Sequence, residues 1–435
     1  AAPPGALRCP AMAVWPRGTE GPGPACRPSA LARAAAALAT FTVASASLVA
    51  APEGARRANE PPAFVVLDDE FGEGREVVHL KVLTNRLTGE RLEVAPGLGG
   101  RTESLRLRSP GGTLREVLMH SHRSAADARK HVGWKGDMLI PFANRVKNGT
   151  YKLNGQTFHL ERNEDRAPYG KNSIHGYLYS KEMKVVHSSA DDHAAQITLA
   201  YSFNGSDPGY PFPLDVNLTY KLDNGGFTLT TRARNRELRG RPLPFYSAWH
   251  SYFMVSDISR AILELDRCTR WNRILLANNS NVHGDLIPTG VTEPFTTFDG
   301  RNPIGGTLKA PTYFDDEFKA LEPAEACTRI QTRIKDPVSG EASVLWGDRQ
   351  FRWVQVFTGT VKNFGVQAIA VEAMSGQADS WNNEDGIRLL QAGETWEGSL
   401  GVHLERVWPA NVSPGGAHTG SPTSAKPAHG PSGTI

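Results

Sequence analysis

Five short segments of this 435-residue chain carry side chains able to move protons or grip a polyhydroxylated ligand. In Asp137–Tyr151 (DMLIPFANRVKNGTY), Pro141, Asn144, Arg145 and Gly149 interrupt an apolar, strand-like run. Arg145 offers a planar fork of donors suited to hydroxyls, although a surface arginine in a loop reads the same way. Asn172–Gly176 sets His175 before a glycine between strands, a place where most histidines do no chemistry. Phe245–Val255 (FYSAWHSYFMV) surrounds His250 with aromatic residues. A weakly solvated imidazole there could hold or release a proton near neutrality; the alternative is a core histidine satisfied by backbone. Tyr313–Phe318 clusters Asp315, Asp316 and Glu317 between aromatic residues, a pattern usual in solvated turns. Ala370–Met374 encloses Glu372 in an apolar run. Burying that carboxylate costs free energy unless it has partners or a task, and burial would suit it to act as a general base. A strand position facing solvent explains it equally well.

Recognised catalytic loops are missing. There is no Walker loop, no GxSxG elbow, no HExxH and no dinucleotide fingerprint, which argues against nucleotide, hydride and zinc-peptidase chemistry. No CxxC pair or cysteine–histidine spacing of the zinc type occurs, so no metal is expected.

The elements that must position these residues read as strands. Apolar and polar residues alternate in Val77–Leu83, Arg91–Val94, Ala195–Ser202, Val216–Leu222, Phe227–Thr231, Ala261–Leu265 and Trp396–Leu404. Turn chemistry separates the runs at Leu153-Asn154-Gly155, Asp223-Asn224-Gly225-Gly226 and Ala392-Gly393-Glu394. Ala125–His131 is the best short helical candidate, and the βαβ alternation of a parallel fold is absent. The expected fold is all-β, a large antiparallel sandwich. With 40% hydrophobic and 21% charged residues the chain can bury a core. Its formal charge is +3, and much of the basic excess lies in the first sixty residues, so no nucleic-acid surface is called for.

Three zones are expected: an extension at 1–60, a folded body at 61–408, and a disordered Pro/Gly/Ser-rich tail at 409–435. The weakly apolar Ala34–Ala51 follows Arg27 and Arg33 and ends in small residues. It suits a cleaved secretory or organellar leader, or else an uncleaved extension of a cytoplasmic protein; stable membrane insertion is not expected. Sequons at Asn148, Asn204, Asn217, Asn278 and Asn411 would allow glycosylation of a secreted chain. Cys9 and Cys26 fall in the extension, and Cys268 and Cys327 read more readily as buried thiols than as a disulfide framework, with a single bridge between them left open.

In order and spacing, the chemistry-bearing segments resemble the aldose 1-epimerase (galactose mutarotase) family. Ile140-Pro141-Phe142-Ala143-Asn144-Arg145-Val146 followed by Asn148-Gly149 is similar to its Pro-x-x-Asn-Arg segment, and Asn172–Gly176 to its Asn-Ser-Leu-His-Gly. Trp249-His250-Ser251-Tyr252-Phe253, the Pro288-Thr289-Gly290 turn, Asp315-x-x-Phe318, and Glu372 with Met374, Asn382 and Gly393-Glu394-Thr395-Trp396 continue the match. It runs from about residue 64 to 405. The resemblance implies a β-sandwich with one open cleft, an aldose substrate and no cofactor. Glu372 would be the general base at the anomeric hydroxyl and His250 the general acid at the ring oxygen. His175 would bind the sugar by hydrogen bonding near the ring oxygen, and Arg145, Asp315 and Asn144 would hold its hydroxyls, with Phe142, Trp249 and Tyr252 suited as apolar walls. Trp249, Tyr177 and Ala373 depart from the family's usual residues, and are expected to bear on which sugar fits. A glucose-6-phosphate 1-epimerase, which would need several arginines, and a non-catalytic sugar-binding protein are the alternatives.

Overall fold

The computed structural model describes residues 61–73, 76–120, 124–164, 171–238, 240–277, 285–321 and 327–407. The extension at 1–60, the tail at 409–435 and the sequons at Asn278 and Asn411 lie outside the described residues.

Alternation in sequence becomes alternation in burial. Along Pro213–Asp223 the residues Leu214, Val216, Leu218, Tyr220 and Leu222 are buried while those between them are partly exposed, because successive side chains point to opposite faces of a strand. Asn224 and Gly225 form the two-residue turn that returns the chain as Gly226–Asn235, with Asp223 opposite Gly226. The Asn154-Gly155 turn likewise closes a hairpin between Thr150–Leu153 and Gln156–His159; both turn residues have positive φ, which Asn and Gly tolerate. Each of the seven runs expected as strands lies in one, and Ala261–Leu265 begins one residue later, at Ile262. The helical candidate shortens to Ala125–Ala128, capped by the Ser124 hydroxyl on the Asp127 N–H.

Two large sheets form the body. A nine-stranded sheet runs in the order Lys184–Ala190, Ala194–Asn204, Pro213–Asp223, Gly226–Asn235, Thr395–Arg406, Glu341–Asp348, Arg329–Asp336, Ile262–Leu265, Asp299–Pro303. The eight-stranded sheet runs Pro288–Pro294, Trp271–Leu276, Asp315–Ala320, Trp353–Phe357, Ala368–Met374, Ala248–Trp249, Met138–Leu139, with Tyr252–Met254 also paired to Ala368–Met374. Pairing within both is antiparallel. Their inner faces share one apolar core, in which Trp249 of one sheet meets Phe227 of the other at 5.5 Å between ring centroids. A five-stranded sheet, Phe64 to Glu116, adjoins them.

One open alternative is decided and one expectation needs correction. Cys268 and Cys327 are a disulfide, with Cα atoms 6.0 Å apart, a separation in the usual range for such a bridge. The bridge joins the turn before Trp271–Leu276 to the segment leading into Arg329–Asp336; two thiols 59 residues apart in sequence give no local sign that the fold will bring them together. Pro288-Thr289-Gly290 is the start of an edge strand rather than a turn, tolerated because an edge position leaves Pro288 no ladder bond to donate.

Candidate active site

The outer face of the eight-stranded sheet carries a row of polar groups. Across three adjacent strands Glu317 lies opposite Gln355, and Gln355 opposite Glu372. Period two places Asp315 and Phe357 on that same face, while Phe318, Val354, Val356, Val371 and Ala373 turn to the sandwich core. Trp249 pairs with Ala373 and shares its core face, so the next residue, His250, comes out on the polar side. Reciprocal backbone bonds fix it: the His250 N–H donates to the Asp137 carbonyl and the Gly136 N–H to the His250 carbonyl.

A second structural unit closes the other wall. Ser173–Ile174 pairs with Arg145–Val146, and the His175 N–H donates to the Asn144 carbonyl at 2.9 Å. Asn144 and His175 both adopt positive φ, +45° and +66°, conformations that cost free energy outside glycine and gather at functional sites. Gly176 follows at φ +66°, and a Cβ there would sit 2.4 Å from the Ile140 carbonyl oxygen, so no side chain fits.

Asn144, Arg145, His175, His250, Asp315 and Glu372 thus line one open cleft, together with Gly133, Trp134, Ile174, Tyr252, Gln355, Phe357, Asn363 and Phe364. All six residues singled out in the sequence meet there. Oε1 of Glu372 is 3.2 Å from Nε2 of His250, and Oε2 takes no hydrogen bond from the described residues. A chain of bonds crosses the floor: Gln355 donates to Asp315 at 2.8 Å, Asn144 donates to Gln355 at 3.2 Å, and Arg145 donates to Asn144 at 3.0 Å. Arg145 also makes a forked contact with Glu164, at 2.7 to 3.1 Å, and Asn172 donates to the same carboxylate. His250 stacks on Tyr252 and meets His175 edge-on at 5.2 Å.

Burial governs the electrostatics. Removal from water drives Glu372 well above the ordinary carboxylate range, and the Asp315 charge adds to this while Arg145 opposes it. The same burial lowers His250 to about 4, despite the Asp137 charge. Glu317, one strand beyond Gln355, is pushed up to about 8 by burial although the Ala378 N–H bonds it. For Arg145 burial works against the charge, yet Glu164 more than compensates and its pKa is raised.

Several readings of single residues change. Arg145 is not a surface residue, Asp315 is in a buried strand rather than a solvated turn, and Glu372 does not face water. Phe142 and Trp249 do not wall the cleft: Phe142 packs on Tyr177 and Trp381, and Trp249 on Phe227 and Phe253. The aromatic walls are Trp134, Tyr252, Phe357 and Phe364. Of the three departures, none lines the cleft; Trp249 and Ala373 face the core and Tyr177 borders a different depression. Gln355 was missed, as was Glu164. The alternation of Trp353–Phe357 did offer a signal, since Gln355 is the one polar residue of that strand.

Comparison with known proteins identifies the family and the fold. The family model described as aldose 1-epimerase matches residues 86–403. A maltose epimerase of Levilactobacillus brevis is 27% identical over 220 residues, 48% of this chain and 59% of that protein. The galactose mutarotase of Mus musculus is 25% identical over 293 residues, 61% of this chain and 79% of its own length. Among solved structures, a galactose mutarotase-like protein of Clostridium acetobutylicum superposes with a TM-score of 0.62 at 16% identity, covering 79% of this chain and 99% of the other.

Proposed function

The chain belongs to the aldose 1-epimerase family, and from that premise we propose that it is a mutarotase that interconverts the α and β anomers of a free aldose. The observation that carries this reading is the Glu372–His250 contact on the cleft floor. Mutarotation requires a proton to leave the anomeric hydroxyl and another to reach the ring oxygen, two oxygens attached to the same carbon. An acid and a base within hydrogen-bond reach of each other can therefore serve both, at about 2.6–3.2 Å from each oxygen.

The proton inventory balances. Burial favours the protonated carboxyl of Glu372 and the neutral imidazole of His250, a state in which the free pair carries one proton. Passing it across the contact yields the carboxylate and imidazolium that the forward reaction needs. Glu372 then takes the anomeric hydroxyl proton as His250 gives one to the ring oxygen, and the C1–O5 bond breaks to leave an aldehyde. After rotation about C1–C2, closure on the opposite face of the carbonyl returns both protons. Arg145, Asn144, Asp315 and His175 would bind the remaining hydroxyls, and Gln355 keeps Asp315 and Asn144 in register by bonding to both. Trp134 and Tyr252, among the aromatic walls, would give the less polar side of a pyranose an apolar surface to rest on.

Arg145 is the one cation among the described residues lining the cleft, and Glu164 already neutralises it. That composition favours an uncharged sugar over a 6-phosphorylated one. The relatives named for galactose and for maltose leave the size of the sugar open. Polarimetry of freshly dissolved α-glucose and α-galactose tests the proposal. Faster decay of optical rotation with the protein is expected, and an unchanged decay for free and 6-phosphorylated aldoses alike would refute it.

A further inference from the structure

The floor of the cleft is buried, and its rim is made of partly exposed residues from two loops. One is the turn Val132–Trp134; the other is the short helix Thr360–Phe364. This helix connects Trp353–Phe357 to Ala368–Met374, the strands that carry Gln355 and Glu372. It is anchored at both ends: the Thr360 hydroxyl donates to the Ala368 carbonyl, and Gly365, at φ +68°, returns its N–H to the Val361 carbonyl at 2.9 Å.

From this anchor Phe364 reaches across to the opposite loop. A Cβ built on Gly133 would lie 2.7 Å from Cζ of Phe364, so the ring already rests against bare backbone. Lys135 Nζ stands 4.1 Å from the ring centroid, and Tyr252 meets the ring edge-on at 6.1 Å. Partners on separate segments thus hold one aromatic ring at the rim, above a buried acid–base pair.

We propose that the Phe364–Gly133 contact is a size gate that admits an unsubstituted monosaccharide and turns away the reducing end of a disaccharide. The inference rests on the mutarotase reading above and adds its substrate class. To place the anomeric carbon between Glu372 and His250, a sugar ring must descend below the rim. A glycosidic substituent must then leave through the rim, and on this side the two loops shut the way. Gly133 cannot be enlarged to tighten the gate, because its φ of +73° and the ring beside it leave no room. Phe364 is therefore the residue that sets the aperture.

The test compares anomer equilibration of glucose and galactose with that of maltose and lactose in the wild type, Phe364→Ala and Phe364→Leu. The wild type should favour the monosaccharides by at least about tenfold in kcat/KM. Phe364→Ala should raise the disaccharide-to-monosaccharide ratio by about tenfold, and Phe364→Leu by less. Because each variant is scored by a ratio, any slowing common to both sugar classes cancels, and its thermal melting curve reports whether it is folded. Equal wild-type rates on both sugar classes, or an unmoved ratio in variants that still turn over glucose, would overturn the gate while leaving the mutarotase reading intact. A wild type inactive on every aldose would remove both.

Discussion

At the scale of residues, the proposed chemistry rests with two side chains whose proton affinities are shifted by burial rather than by each other's charge. Glu372→Gln removes the base and His250→Asn the acid. Each should lower kcat by about 10²–10⁴-fold with little change in KM, measured as initial rates of polarimetric decay. Their titration predicts a bell-shaped pH profile. Activity should fall as pH drops towards about 4, where a second proton loads onto His250 and leaves no base. It should also fall on the alkaline side, where the single proton of the pair is lost with Glu372, and burial moves that limb above the ordinary carboxylate range. An acid limb near the ordinary imidazole value would contradict the burial argument. Residue types alone left these roles open. A glutamate within an apolar run fits a solvent-facing strand as well as a floor, and what decides it is the register that sets Glu372 opposite Gln355.

At the scale of elements, period two was legible and the loops were not. The long strands and the Asn154-Gly155 and Asn224-Gly225 turns follow from local pattern, so their places could be read directly. Which aromatic residues wall the cleft could not be read so. Trp249 beside His250 looks like a wall until alternation sends it to the core, and Phe364 arrives from a five-residue helix with no pattern of its own. The same scale holds the Asn144–Gly176 unit, where two non-glycine residues at positive φ aim side chains at the cleft. Gly176→Ala would push a Cβ against the Ile140 carbonyl oxygen and strain the backbone, costing about 1–3 kcal/mol by thermal denaturation. His175 and Arg145 would shift with it, so KM should rise in the fraction that remains folded. An unaltered melting temperature would mean that the close approach of these backbones is wrong.

At the scale of the whole molecule, the disulfide between Cys268 and Cys327 ties two segments far apart in sequence beside the Trp271–Leu276 strand, away from the cleft. Replacing both cysteines by serine should cost about 2–4 kcal/mol of stability through a freer unfolded chain, and leave turnover at moderate temperature intact. Equal melting of oxidised and reduced protein would show that the bridge does not form. The sandwich as a whole does one thing for the chemistry: it holds Glu372 and His250, distant in sequence, at 3.2 Å on a rigid face. Magnetisation exchange between the anomeric protons of an equilibrated aldose, followed by NMR with wild-type protein and with Glu372→Gln, tests this most directly. Cross-peaks linking the α and β signals should emerge with the wild type and vanish with the variant. Exchange that persists undiminished in Glu372→Gln would contradict the account.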